Sequence, residues 1–124
     1  MDDRKAIESA IYKFIEAYNA ADIVGVLAYY GDDLINVRSG APAEKKPETA
    51  RRLADVFRMF LPRVEVVTDE IFTSSNFAFS RGSFRVTLSP KAGGESQMIE
   101  RRYLEIWRKE DGRWLVVRTM DNEG

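Results

Sequence analysis

The chain has no cysteine and no histidine among its 124 residues. Without cysteine, it can form no disulfide, no thiolate nucleophile and no cysteine-based metal site. Without histidine, it lacks the commonest general base and the commonest metal ligand in proteins. We therefore expect a protein that works without a metal ion and without a cofactor.

An excess of charge of either sign is also missing, because 19 Lys and Arg stand against 20 Asp and Glu. The charges are interspersed, so nothing in the sequence favours a nucleic-acid partner or an anionic membrane surface. No apolar run approaches the roughly 20 residues of a membrane span, and the N-terminus has no secretory apolar segment. We expect a cytoplasmic protein with neither nucleic acid nor membrane among its partners.

The apolar content that the chain does have is that of a globular protein. Hydrophobic residues make up 44% of the sequence, which includes 7 Phe, 5 Tyr and 2 Trp. This is enough apolar surface to offset the entropy of ordering, and the length suits one core. Residues 1–124 are therefore predicted to form a single domain.

The first half of the chain carries helical patterns. Apolar residues recur at three- and four-residue spacing over residues 3–19, behind capping aspartates. A second, short helix is expected over residues 23–30, with Gly31 as its C-cap. A third begins at Pro47, places Phe57, Phe60 and Leu61 on one side, and stops before the next proline.

The second half has the pattern of β-structure. A short strand is expected at residues 33–38, and long strands at 63–74, 77–89, 97–109 and 113–121. The intervening turn residues predict an antiparallel meander. Helices first and strands later indicate an α+β fold, with three helices covering one face of one sheet.

Several strings in this order resemble a known family. They are residues 14–22 (FIEAYNAAD), 29–33 (YYGDD), 78–82 (AFSRG) and 103–114 (YLEIWRKEDGRW). The chain resembles ketosteroid isomerases and SnoaL-like polyketide cyclases of the nuclear transport factor 2-like superfamily. The resemblance implies a cystatin-like cone, in which three N-terminal helices pack on a strongly curved, mostly antiparallel sheet around a pocket.

The resemblance also identifies candidate catalytic residues. Ketosteroid isomerisation needs a carboxylate base, a tyrosine and a protonated aspartate. At the corresponding positions this chain has Arg38 for the base, Phe14 for the tyrosine and Glu105 for the aspartate. Ketosteroid isomerase activity itself is therefore not expected. Arg38 would bind a negative oxygen of the ligand, and Glu105 would act as a base or orient Arg38.

A structural explanation exists for the same residues. A two-residue hairpin at Asp111 and Gly112 would set Glu105 nearly opposite Arg118, where a cross-strand ion pair needs no pocket.

Relatives line their pocket with side chains at positions that correspond here to Phe14, Tyr18, Tyr30, Asn36, Phe57, Phe60, Tyr103, Trp107 and Asp121. Any single aromatic residue of this set is better explained as core, although several together favour a pocket, and Asp121 is equally well explained as part of a polar tail.

Two functional hypotheses follow. The first is a protein that binds a small apolar ligand with a carbonyl or acidic group, or an enzyme that acts on it without a cofactor, as an isomerase, cyclase or hydrolase. The second is a non-catalytic homodimerisation or scaffold domain with a vestigial pocket. A homodimer is expected in both cases, because the uncovered face and the edges of an open sheet need cover.

Overall fold

The chain begins with a helical hairpin. In this computed structural model, which describes residues 2–123, helix α1 spans Asp3–Asn19 and helix α2 spans Ile23–Leu27. The Asp2 carboxylate accepts a hydrogen bond from Lys5 N, and Asp22 caps α2 in the same way. No helix within residues 2–123 has both the length and the apolarity needed to cross a bilayer.

Strand β1 starts earlier than the sequence predicts. Helix α2 ends at Leu27 rather than at residue 30, and β1 spans Tyr30–Val37. Gly31 therefore lies in a strand and is not a helix cap. A side chain at Gly31 would come within 3.0 Å of Val117 on the neighbouring strand, so close packing explains the glycine there.

Helix α3 also ends earlier than predicted. A two-residue strand β2, Glu44–Lys45, leads directly into α3, Lys46–Met59. The prediction that Phe60 and Leu61 are helical is wrong, because Phe60 opens strand β3 and pairs with Pro90. Pro62 disfavours helical backbone in the residue before it, and strand pairing supplies the alternative.

Four long strands form the antiparallel meander that the sequence predicts. They are β3 (Phe60–Ser74), β4 (Phe77–Pro90), β5 (Gln97–Glu110) and β6 (Arg113–Asn122). The order in the mixed sheet is β2-β1-β6-β5-β4-β3, and β1 runs parallel to β6. Asp111 and Gly112 have φ of 50° and 77° between β5 and β6, as a type I′ hairpin turn requires.

The helices lie on one face of the sheet, which confirms an α+β architecture. Helix α1 packs on β3 and β6, and α3 packs on β1 and β3. Two clusters of buried side chains result. One is centred on Trp107 and Ile7 beneath α1, and the other joins Tyr18 and Phe57 to the aliphatic residues of β3 and β4.

Gly82 allows two strands to approach at an irregular point of the sheet. It lies on β4 opposite Thr68, next to a bulge between Thr68 and Glu70. A Cβ atom at Gly82 would lie 1.9 Å from the carbonyl oxygen of Val67, which is backbone and cannot rotate away. Glycine is thus the only residue that fits without moving β3.

Gly82→Ala should destabilise the fold, by about 1–3 kcal/mol or more, because the added methyl group overpacks the backbone. The free energy of unfolding can be measured by urea denaturation followed by circular dichroism. Ser83→Ala, one residue further along β4, is the matched control and should change it by less than ~0.5 kcal/mol. An unchanged midpoint for Gly82→Ala would contradict this role of the glycine.

Candidate functional site

A cavity of about 260 Å³ lies between the helices and the sheet. It extends from the Trp107-centred cluster toward the ends of β1 and β6. Its wall is largely apolar, with the polar groups of Glu105, three arginines and several tyrosines projecting into it, as small-molecule sites commonly have. The apolar lining residues are Ile11, Phe14, Leu53, Val56, Val64, Val66, Phe84, Val86, Leu88 and Ile99.

Glu105 is held in the cavity wall by hydrogen bonds to one of its two oxygens. The hydroxyl of Tyr29 donates to Glu105 Oε1 at 2.7 Å, and Ser80 Oγ lies 3.5 Å from the same oxygen. Trp107 Nε1 donates to Ser80 Oγ at 2.9 Å, and both Trp107 and Ser80 are fully buried. This chain of contacts fixes the orientation of the carboxyl group.

The second oxygen of Glu105 is open to the cavity. Among residues 2–123, every side-chain oxygen or nitrogen that is shielded from solvent has a hydrogen-bond partner. Oε2 of Glu105 has no partner, so it is among the accessible atoms. Burial raises the pKa of Glu105 to about 7, although the hydrogen bonds from Tyr29 and Ser80 act in the opposite direction. The group is therefore poised to take up or release a proton near neutral pH.

Two tyrosine hydroxyls are available in the same cavity. Tyr18 and Tyr30 line it, and by the same reasoning their unpartnered hydroxyls are open to it. Burial raises the pKa of both, and the negative charge of Glu105 contributes for Tyr30. A third hydroxyl, that of Tyr103, lies 3.2 Å from Thr68 Oγ1, and burial raises its pKa to about 12. All three are protonated donors at neutral pH.

Three arginines, Arg38, Arg52 and Arg101, line the more exposed end of the cavity, and we refer to them as the arginine cluster. Arg52 Nε donates to both oxygens of Glu44, at 2.9 and 3.2 Å. Thr49 Oγ1 donates to the same carboxylate at 2.9 Å. Burial alone would raise the pKa of Glu44, but these partners and the charge of Arg38 lower it below its usual value.

Arg38 and Arg101 are bound more loosely than Arg52. Arg38 Nη1 lies 3.6 Å from Glu44, and Arg101 Nε lies 3.8 Å from Asp121. Asp121 Oδ1 is itself held by the backbone N–H of Ser39, at 3.1 Å. Burial and the charge of Arg52 lower the pKa of Arg38 below that of a free guanidinium. Within residues 2–123 no three carboxylates converge as a metal site.

The structure brings most of the predicted site residues together in this cavity. Their chemical roles remain predictions. The predicted residues that line the cavity are Phe14, Tyr18, Tyr30, Asn36, Arg38, Tyr103, Glu105 and Asp121. Arg38 and Glu105 thus face one cavity, but the ion-pair partner of Arg38 is Glu44, so Glu105 does not orient it.

Three predicted lining residues lie elsewhere. Phe57 and Trp107 are buried in the two core clusters, and Phe60 packs against the edge of the Tyr18 cluster. Trp107 still matters to the site, because its indole N–H fixes Ser80. The resemblance to relatives implied that these residues line a pocket, but neither it nor their spacing separates a core position from a cavity wall.

The expected ion pair between Glu105 and Arg118 does not form. A bulge in β6 between the partners of Ile106 and Trp107 inserts one residue, so Thr119 lies opposite Glu105. Arg118 instead donates to the backbone carbonyls of Asp33 and Val117. The structural explanation for Glu105 is therefore wrong.

Sequence reasoning missed Tyr29, Ser80, Arg52 and Arg101. Tyr29 directly precedes a predicted lining residue, and only tertiary packing reveals that it reaches Glu105. For Arg101 a signal was present. It alternates with Tyr103 and Glu105 along β5, and residues two apart on a strand share a face.

Comparison with known proteins agrees with this architecture. Residues 11–117 match the SnoaL-like domain, so the chain belongs to the SnoaL-like family. A ketosteroid isomerase-like protein from Erwinia carotovora atroseptica is 30% identical. Its structure superposes with a TM-score of 0.81, and the match covers 98% of this chain and 96% of that one. No curated protein sequence matches the chain.

Two more distant structures share the fold alone. An NTF2-like protein from Cytophaga hutchinsonii is 18% identical, with a TM-score of 0.78 and full coverage (100%) of both chains. A domain with a cystatin-like fold from Nostoc punctiforme is 21% identical, with a TM-score of 0.80 over 98% of this chain and 77% of that one. The match to the SnoaL-like domain and the 30% identical relative confirm the predicted resemblance.

Glu105→Gln should stabilise the protein relative to wild type, and more so at higher pH. The folded protein holds a proton on Glu105 up to about pH 7, whereas the unfolded chain releases it near 4.5. Wild-type stability therefore falls as pH rises through this window, and the glutamine variant escapes that loss. The stability difference should grow by roughly 3 kcal/mol between pH 4.5 and 8.

Urea denaturation at several pH values measures this difference. Glu95→Gln removes a carboxylate from the exposed loop between β4 and β5, and it controls for the change in net charge. A difference between Glu105→Gln and wild type that does not change with pH would contradict the assigned pKa.

Proposed function

We propose that the protein binds a small, largely apolar carbonyl compound in the cavity and moves a proton on it without a cofactor. The observation that carries this proposal is the carboxyl of Glu105. One oxygen is anchored by Tyr29, the other is open to the cavity, and the pKa is about 7. A group with such a pKa serves equally as proton acceptor and donor at neutral pH.

The chemistry that suits this carboxyl is proton transfer at a carbon next to a carbonyl. Glu105 Oε2 accepts the proton as the C–H bond breaks, and the electron pair moves onto the carbonyl oxygen to form an enolate. With a β,γ-unsaturated ketone, Glu105 returns the proton to the γ-carbon and the conjugated isomer forms. With a β-hydroxy ketone, the enolate expels the hydroxyl, which takes the proton from Glu105 and leaves as water. Both outcomes balance without an oxidant, a reductant or a metal ion.

An enolate also needs hydrogen-bond donors for its oxygen. The open hydroxyls of Tyr18 and Tyr30 supply candidates, and burial together with the charge of Glu105 raises the pKa of Tyr30, which keeps its hydroxyl protonated. Preorganised donors in an apolar cavity stabilise developing negative charge strongly, because no water has to reorganise. We assign Tyr30 as the first donor and Tyr18 as the second.

Ketosteroid isomerisation is not part of the proposal. In the expected alignment, Arg38 replaces the carboxylate base and Phe14 replaces the tyrosine donor. The proposed base here is Glu105, which lies on β5 and not at the end of the first strand. A ligand would therefore present its acidic C–H to β5, opposite to the arrangement expected in an isomerase.

The protein should catalyse hydrogen–deuterium exchange at the α-carbons of an apolar cyclic ketone such as 2-tetralone. Proton NMR in D₂O measures the exchange rate. Glu105→Gln should lower it roughly 100-fold or more, because the proton acceptor is lost. Tyr30→Phe should lower it by about 100-fold through loss of the enolate donor. The wild-type rate should rise with pH and level off above about 7.

Glu95→Gln is again the control and should exchange at the wild-type rate, because residue 95 lies in an exposed loop. Saturation-transfer NMR monitors binding of the ketone in every variant. Exchange that is as fast with Glu105→Gln as with wild type would refute the assigned base. Binding of the ketone without faster hydrogen–deuterium exchange would show that the protein binds this compound but does not catalyse proton transfer on it.

A second candidate function, homodimerisation, is favoured by the outer face of the sheet, which the helices leave uncovered. Val37, Leu104 and Met120 are adjacent across β1, β6 and β5 on this face and are 38%, 42% and 49% exposed. Phe72, 58% exposed, stacks on Phe79 nearby. We propose that this outer patch, made of Val37, Phe72, Leu104 and Met120, packs against a second copy of the chain.

The double variant Leu104→Glu with Met120→Glu should be monomeric, because two carboxylates in the middle of the outer patch cannot be desolvated on association. Size-exclusion chromatography with light scattering measures the mass. Val24→Glu on α2, where the valine is 77% exposed, is the control and should behave as wild type does. A wild-type protein that is monomeric at high concentration would exclude this interface.

A further inference from the structure

The arginine cluster has unused hydrogen-bonding capacity. Each guanidinium carries five N–H donors. The side chain of Arg38 makes no hydrogen bond to any of residues 2–123, and its contact with Glu44 is 3.6 Å long. Arg101 makes one hydrogen bond, to the backbone carbonyl of Glu100, and its contacts with Asp121 and Glu123 are 3.8 and 3.7 Å long.

The carboxylates near the cluster are already engaged. Glu44 is held by Arg52 and Thr49, and the backbone of Ser39 binds Asp121. The three guanidinium groups are thus paired with two carboxylates, Asp121 in the cavity lining and Glu44 just behind it. Glu123 has a side chain that is 75% exposed, so solvent screens its charge. One positive charge at this end of the cavity is left without a comparable partner.

The position of the cluster relative to Glu105 defines the shape of a ligand. Arg101, Tyr103 and Glu105 alternate on one face of β5, so the Cα atoms of Arg101 and Glu105 are ~13 Å apart. Tyr103 lies between them on this face, and apolar side chains of α3, β3 and β4 line the neighbouring part of the cavity wall. A molecule that fills this cavity and reaches the arginine cluster should therefore have an apolar body with an anionic group at one end.

We infer that Arg38 and Arg101 form a subsite for the carboxylate of an amphiphilic ligand whose apolar body fills the cavity. This deepens the proposed function and rests on it, because it names the substrate class for the same cavity. A single planar carboxylate matches the excess of one positive charge and the bidentate geometry of a guanidinium. Glu44, held by Arg52 and Thr49, keeps a carboxylate oxygen 3.6 Å from Arg38.

A matched pair of compounds tests the subsite. 2-Naphthylacetate and 2-naphthylacetamide share one apolar body and differ in charge, and isothermal titration calorimetry measures both dissociation constants. The carboxylate should bind at least roughly tenfold more tightly than the amide. Arg38→Gln and Arg101→Gln should each weaken carboxylate binding about tenfold and leave amide binding within about twofold.

Arg85→Gln, on the outer face of β4, is the control for net charge and should bind both compounds as wild type does. Equal affinity for the two compounds would overturn the subsite and leave the ligand-binding cavity intact. Binding of neither compound would overturn both proposals for ligands of this size. Tighter binding of 2-naphthyl phosphate than of 2-naphthylacetate would overturn the carboxylate assignment in favour of a phosphate ester.

Discussion

The proposed chemistry depends on one carboxyl group, that of Glu105, which lies in the largely apolar wall of the cavity. Glu105 has no cationic partner, and two neutral hydroxyls, those of Tyr29 and Ser80, are all that compensate its burial. Neutral donors stabilise a carboxylate less than a guanidinium does, so the pKa stays high. An arginine in place of Tyr29 would give a tighter contact and a permanently ionised group with no use as a proton donor.

Irregularities in the sheet decide which side chains enter the cavity. The bulge in β6 places Thr119 opposite Glu105 and directs Arg118 toward backbone carbonyls. The bulge in β3 opposite Gly82 lets β3 and β4 approach closely where the wall of the cavity begins. Each bulge shifts the register by one residue, and a shift of one residue exchanges the two faces of a strand. The unpaired state of Glu105 is thus a consequence of backbone geometry.

The sequence predicts the elements of the fold better than it predicts the site. Apolar residues at helical spacing locate the helices, and turn residues between β-patterned segments locate the meander, because these signals are local in the sequence. The bulge that moves Arg118 lies in the pairing of β5 with β6, and neither glycine nor proline marks that part of β6 in the sequence. Phe60 fits a helical stripe, yet pairing with Pro90 makes it a strand residue. Arg101 is next to Arg102 in the sequence, and its place in the site becomes evident only from its alternation with Glu105 on β5.

The two ends of the cavity differ in the charged groups that surround them. Glu105 needs to remain unpaired, whereas the arginine cluster needs enough negative charge to hold three guanidinium groups together. Tyr30 lines the same cavity. Burial raises its pKa, and the charges of Glu105 and Arg52 act on that pKa in opposite directions. A ligand anchored by a carboxylate at the arginine end would leave Glu105 without an ion pair. The binding energy of that remote group would then be available to orient the reacting carbon against Oε2.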